Sequence, residues 1–191
     1  MRYYTLPVIG ILVATMGWGV ALAQPKSTKT VFACVAKEGG GMATVARRGN
    51  LETPPLITWE KTIGVDWTPE KRCQEVAQRL SKAVEDNGGK LVGLTISYGP
   101  VNNQPVICYA KSQDEACSAK TMLFTLTGDN AKNPEKVLQS IRAFALKATG
   151  TAISEEDKLI TPDGSHLDLE LWFDHVTTAK ASSQPSPQGG I

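Results

Sequence analysis

The sequence predicts an α+β domain: a largely antiparallel sheet with two packed helices, stabilised by disulfides. Three observations carry that prediction. Short runs rich in β-formers are separated by glycine or asparagine turns. Two longer stretches repeat apolar residues at helical spacing between recognisable caps. Four cysteines, Cys34, Cys73, Cys108 and Cys117, follow a leader-like N-terminus.

That N-terminus reads "MRYYTLPVIGILVATMGWGVALAQ". Arg2 supplies a positive start, Leu6 to Leu22 carries no charge, and Ala21-Leu22-Ala23 is a small-x-small site. The layout is that of a secretory signal peptide over residues 1–23, cut after Ala23. Pro7, Gly10, Gly17 and Gly19 suit a lasting membrane helix poorly, and no basic cluster follows. Residues 24–29 then read as a linker, 30–176 as one α+β domain, and 177–191 as a polar, disordered tail. Nothing after the leader is apolar enough to cross a bilayer. The expected destination is an exported compartment: periplasm, thylakoid lumen or the extracellular space.

Charge narrows the function classes. The chain has 20 Lys and Arg against 19 Asp and Glu, and losing Arg2 with the leader leaves the two in balance. A nucleic-acid binder shows a basic face, and a membrane-surface binder a polybasic cluster. Here the lysines are scattered among acids, so neither class is expected.

In chain order, "TVFACVA" (Thr30 to Ala36) reads as the first strand, followed by the glycine turn "KEGGGM". "ATVAR" (Ala43 to Arg47) is a second strand, and "LITWEK" after Pro54-Pro55 a third. Thr68 caps the first helix, Pro69 takes its first position and Glu70 complements its positive end. The helix runs to about Asp86 and stops at "NGG", with Cys73, Val76, Ala77, Leu80 and Val84 on its apolar stripe. "KLVGLTISYG" and "QPVICYA" form two strands around Asn102-Asn103, a pair tolerant of left-handed turn geometry. "TMLFTLTG" is a further strand. The second helix starts at Asn133-Pro134, ends at Gly150 and presents Val137, Leu138, Ile141, Phe144, Ala145 and Ala148 to the core. "SHLDLELWF" alternates as a last strand, Leu167, Leu169 and Leu171 inward and His166, Asp168 and Glu170 outward.

Four cysteines in an exported chain form a disulfide framework with three possible connectivities. Cys108 and Cys117 are close in sequence and suggest a local bridge; Cys34 then ties the first strand to the first helix through Cys73. A reactive thiol is the weaker reading of Cys73. It lies past the first turn, where the helix dipole has faded, and on the apolar stripe.

With these elements placed, "VFACVA", "ITW", "TPEKRC", "QPVICYA", Cys117 and "LFTL" together resemble the cyanobacterial circadian-oscillating-protein family. The resemblance covers about residues 31–126, or to 148 if the second helix is counted. It implies an exported protein of rhythmic abundance whose cysteines fall at Cys34, Cys73, Cys108 and Cys117. It transfers no catalytic residue and no cofactor.

Catalytic sets are sparse. No G-x-S-x-G elbow, P-loop or dinucleotide fingerprint is present. Ser165 adjoins His166, but neighbours on a strand point to opposite faces. His166, Asp168 and Glu170 share a strand face near Asp174 and His175, a set a transition metal can use and a solvated face also carries. The acidic run Glu155–Asp157 reads as solvated surface. Trp67, just before the cap, reads as a hydrophobic staple ahead of a binding aromatic. The leading expectation is a non-catalytic exported module, without cofactor or metal, binding an unknown protein, an envelope component or a small ligand. The alternative is a hydrolase or metal-dependent enzyme using His166, Asp168 and His175. A redox role for Cys108 and Cys117 is a third.

Overall fold

The structure, a computed structural model, describes residues 29–147 and 164–182. The leader, its cut after Ala23, residues 24–28, Gly150, the acidic run Glu155–Asp157 and the tail from 183 onward lie outside the described residues.

The expected α+β class holds, and its antiparallel β part is divided, among the described residues, into two four-stranded sheets. In the first, β1 (Thr30–Ala36) pairs β2 (Met42–Arg48), whose other side carries β3 (Leu51–Glu52) and β4 (Ile57–Trp59). The glycine turn between β1 and β2 is constrained by a neighbour. Gly41 has φ +82, and a Cβ there would stand 2.6 Å from the Trp59 carbonyl oxygen. No other residue fits. The second sheet has the order β7-β6-β5-β8, with β5 (Thr95–Val101), β6 (Gln104–Ala110), β7 (Met122–Thr125) and β8 (His166–Asp168). Asn102 and Asn103 turn the β5–β6 hairpin at φ 50 and 60, the paired positive values of a tight two-residue turn.

The helix α1 (Pro69–Asp86) joins the two sheets. Thr68 Oγ1 accepts from the Lys71 amide at 3.2 Å, and the helix ends where the Gly89 amide donates to Val84 O at 2.8 Å. Its stripe Cys73, Val76, Ala77, Leu80 and Val84 is buried. Along β1 it makes three fastenings. The Thr30 amide donates to Gly89 O at 3.1 Å. Ser81 Oγ accepts from the Phe32 amide at 2.8 Å and donates back to Phe32 O at 3.0 Å. Cys34 is bonded to Cys73. On the side of the second sheet, Arg79 Nη1 donates to Met122 O and Leu123 O at 3.2 and 2.9 Å. A β-bulge explains the second contact: Ile107 pairs Phe124 and Cys108 pairs Met122, leaving Leu123 outside the ladder with its carbonyl turned to Arg79.

Short α2 (Gly128–Lys132) and α3 (Pro134–Lys147) follow, α3 burying Leu138, Ile141, Ala145 and Leu146. Phe144, expected on the core stripe, is instead 39% exposed.

The last strand is the largest correction. Only His166–Asp168 extends, and Leu169–Ser182 is a helix, α4, reaching into the stretch read as tail. Leu169, Trp172, Phe173 and Val176 are buried at helical spacing, whereas Leu171, expected inward, is exposed and His166, expected outward, is buried. Among the described residues the two expected helices are thus joined by two more, α2 and α4. Arg48 of β2 docks α4: Nη1 and Nη2 grip Glu170 at 2.9 and 2.7 Å, Nε donates to Thr30 Oγ1 at 2.7 Å, and the guanidinium lies 4.2 Å from the Phe173 ring centroid.

The second bridge, Cys108–Cys117, pins the loop after β6 against Gly99 of β5, where a Cβ would meet Cys117 Sγ at 3.3 Å. The two bridges close loops of different length, 39 and 9 residues. On the chain-entropy view these contribute about 4 and about 3 kcal/mol respectively. Replacing Cys34 and Cys73 together by alanine is expected to lower the melting temperature more than replacing Cys108 and Cys117; equal melting curves for the two variants would count against this ranking. Arg48→Met is expected to cost about 1.5–3 kcal/mol through the lost charge-assisted bonds. Hydrogen exchange should then accelerate in α4 before it does in β5 and β6. Unchanged protection of α4 would mean that apolar packing alone holds it.

Candidate functional site

Where the two sheets meet, their edge strands leave a seam. Among the described strands, β4 pairs only with β2 and β7 only with β6. Trp59 of β4 and Phe124 of β7 close the seam edge to face, ring centroids 5.3 Å apart. Trp59 is fixed from behind, its Nε1 donating to Thr44 Oγ1 at 2.9 Å. Arg72, on the first turn of α1, reaches over the indole, its guanidinium carbon 4.7 Å from the ring centroid.

A groove opens on each side of that contact, and Arg72 and Phe124 line both lobes. The smaller lobe, about 240 Å³, runs between α1 and β7 past Trp67, Val76, Arg79 and Leu123. The larger, about 530 Å³, runs between β4 and α2–α3 past Thr58, Asn133, Ile141 and Phe144. The smaller lobe is mainly apolar-walled, as ligand sites tend to be, whereas the larger sets Ile57, Val137 and Phe144 among polar side chains such as Thr58 and Asn133.

The electrostatics are uneven. Glu75, in the smaller lobe, is held by Arg79 at 2.8 Å, and Asp129, in the larger, by Lys132 at 2.8 Å. Arg72 and Lys136 also line the larger lobe, and neither has a carboxylate within 4.0 Å among the described residues. One hydrogen bond from Arg72, Nη1 to Lys61 O at 3.1 Å, fixes its direction. Burial pulls the Arg72 pKa down from the usual arginine value. The groove thus presents a partly desolvated cation beside aromatic rings, with its own acids already paired.

The staple expected at Trp67 is not formed. The staple partner, three residues past Pro69, is Arg72 and not an apolar side chain. Trp67 remains 46% exposed, its backbone bridging Ile63 and the Lys71 ammonium 4.9 Å from its ring centroid. It lines the groove instead. Trp67 was legible as a large aromatic outside the helical stripe, whereas Phe144 read as part of the core face of its helix. Arg72, Phe124 and the seam itself arise from chain segments far apart, and no spacing announces them.

The catalytic alternative fares differently. His166 is buried and Ser165, which precedes β8, folds its Oγ to 2.6 Å from His166 Nδ1, so the two do not point to opposite faces. Asp168 Oδ1 accepts from the Leu171 amide at 2.9 Å, the bond of an N-cap to α4. His175 lies on α4. Among the described residues no three His, Cys, Asp or Glu side chains form a group that could hold a metal ion, so His166, Asp168 and His175 do not assemble as one. The cysteines Cys34, Cys73, Cys108 and Cys117 are all in disulfides, and Cys73 Sγ sits 3.7 Å from Thr44 Oγ1, directly behind Trp59. No helix among the described residues is long and apolar enough to cross a membrane.

Comparison with known proteins adds one match. The family model described as Circadian oscillating protein COP23 matches residues 31–174, beyond the motifs and into α4. No curated protein and no solved structure matches.

If Asp168 serves as a cap, Asp168→Ala should cost about 0.5–2 kcal/mol in urea denaturation, and Asp168→Asn, which keeps an accepting oxygen, much less. Equal losses in the two variants would mean that the carboxylate charge, and not the cap, matters there.

Proposed function

From a chain that belongs to the Circadian oscillating protein COP23 family, we propose an exported, non-catalytic binding module whose ligand site is the groove around Arg72. One observation carries the reading: Arg72 is held against Trp59 at the junction of two lobes, partly desolvated and with no carboxylate within 4.0 Å among the described residues. Such a group is costly to keep unless something arrives to pair with it. The ligand is a protein, an envelope component or a small molecule.

Export is part of the proposal. The leader 1–23 with its cut after Ala23, the linker 24–29 and two disulfides fit a product that folds in an oxidising compartment: periplasm, thylakoid lumen or outside the cell. The domain extends from residue 30 through α4, and the tail follows it. The family description extends to this chain as a proposal that its abundance follows a daily rhythm.

The alternative, a hydrolase or metal-dependent enzyme at His166, Asp168 and His175, has less support. Asp168 is occupied as a helix cap, and the three do not form a metal-holding group. A redox role for Cys108 and Cys117 has the burial of Cys108 against it, since that sulfur is closed to an attacking thiolate.

A photo-cross-linking side chain placed at Phe144, in the native cell, should capture a product that the same group at Val92, exposed on a distant loop, does not. Cell fractionation should find the protein outside the cytoplasm with Gln24 as its first residue. Identical products from both positions would remove the groove as the ligand site, and an uncut cytoplasmic chain would remove export.

A further inference from the structure

We infer that the groove takes an extended peptide segment carrying an acidic side chain between apolar neighbours; this rests on the groove being the ligand site. The sign follows from pairing. Glu75 and Asp129 each have a cation at 2.8 Å, whereas the partly buried Arg72 has no carboxylate within 4.0 Å among the described residues, so the middle of the groove favours an anion. A guanidinium has five N–H donors in a planar fork suited to a carboxylate, and Arg72 spends one on Lys61 O.

The position of Arg72 selects the kind of anion. It lines both lobes, so the charge lies at the middle of the groove with apolar space on either side. A fatty acid or aromatic acid carries its carboxylate at one end and fills one lobe. A peptide with a central aspartate or glutamate puts its charge at Arg72 and its flanking side chains in both. Toward Trp67 it meets Ile63 and Met122; toward Phe144 it meets Val137. Thr58 and Asn133, in the larger lobe, offer a hydroxyl and an amide group to a peptide backbone, which a lipid chain does not use.

The test is selection of random heptapeptides displayed on phage against the oxidised mature chain, followed by binding of the best capped synthetic peptide and its twin with the central acid changed to the amide. Selected sequences should carry aspartate or glutamate between apolar residues, and the amide twin should bind about 10- to 100-fold more weakly. Arg72→Gln should bring the two peptides to the same affinity, and Arg72→Lys should restore part of the difference. The twin comparison uses the wild-type chain, so it stands even if a variant misfolds. Peptides selected without an acid, or twins of equal affinity, overturn the inference and leave the groove reading in place. Failure to enrich any peptide while the Phe144 cross-link still forms overturns it too, and suppression of that cross-link by decanoate added before irradiation would point to a terminal carboxylate. Failure of both library and cross-link takes the groove reading with it.

Discussion

The outer edge of β1 has to be covered, and the way α1 covers it organises the rest of the molecule. An uncovered edge strand exposes a row of backbone donors and acceptors to any passing chain. Here the partner is a helix. Thr30, Phe32 and Cys34, alternate residues of one strand, meet Gly89, Ser81 and Cys73 in turn, so strand and helix run in opposite directions. A helix cannot supply a ladder, and only Ser81 imitates one, donating and accepting at Phe32 as a neighbouring strand would. The sulfur bridge and the Gly89 carbonyl hold the ends. With its axis set this way, α1 brings Arg79 to the bulged carbonyl of Leu123 and Arg72 to the indole of Trp59. The helix position is thus the common cause of the junction between sheets and of the groove.

The seam has a structural logic of its own. Two small sheets with a helix laid across them cannot bury every outer strand. β1 is covered by α1 and β8 leads directly into α4, while β4 and β7 face each other. Trp59 and Phe124 fill the centre of that meeting, and aromatic pairs of this geometry add to their buried area. What remains open on either side is space the fold leaves between elements that are each well packed elsewhere. A cation placed there costs desolvation, which is why its lack of an ionic partner is informative, whereas an exposed lysine without one is ordinary.

Much of the fold was legible. The bounds of α1 follow from Thr68-Pro69 and from Asn87 to Gly89, and the β5–β6 hairpin from two asparagines at positive φ. The α+β class, the antiparallel strands and the family resemblance also match what the chain adopts. The failure at the C-terminal end has a definite cause. "LDLELWF" satisfies two periods at once: Leu167, Leu169 and Leu171 alternate, while Leu169, Trp172, Phe173 and Val176 fall on one helical face. The aromatic pair and an aspartate able to cap were the signals for the second reading. The groove was beyond such reading. Its residues come from β4, α1, β7 and α3, and only the packing of those elements brings them together.

Arg72 and Cys73 are consecutive, so the residue that points into the seam is one peptide unit from the sulfur that anchors its helix. Thr44 touches both that sulfur and Trp59, the surface on which the guanidinium rests. Breaking the bond therefore loosens cation and indole in the same stroke. Oxidation of that one pair of sulfurs thus bears on the geometry of the groove as well as on the fastening of the helix.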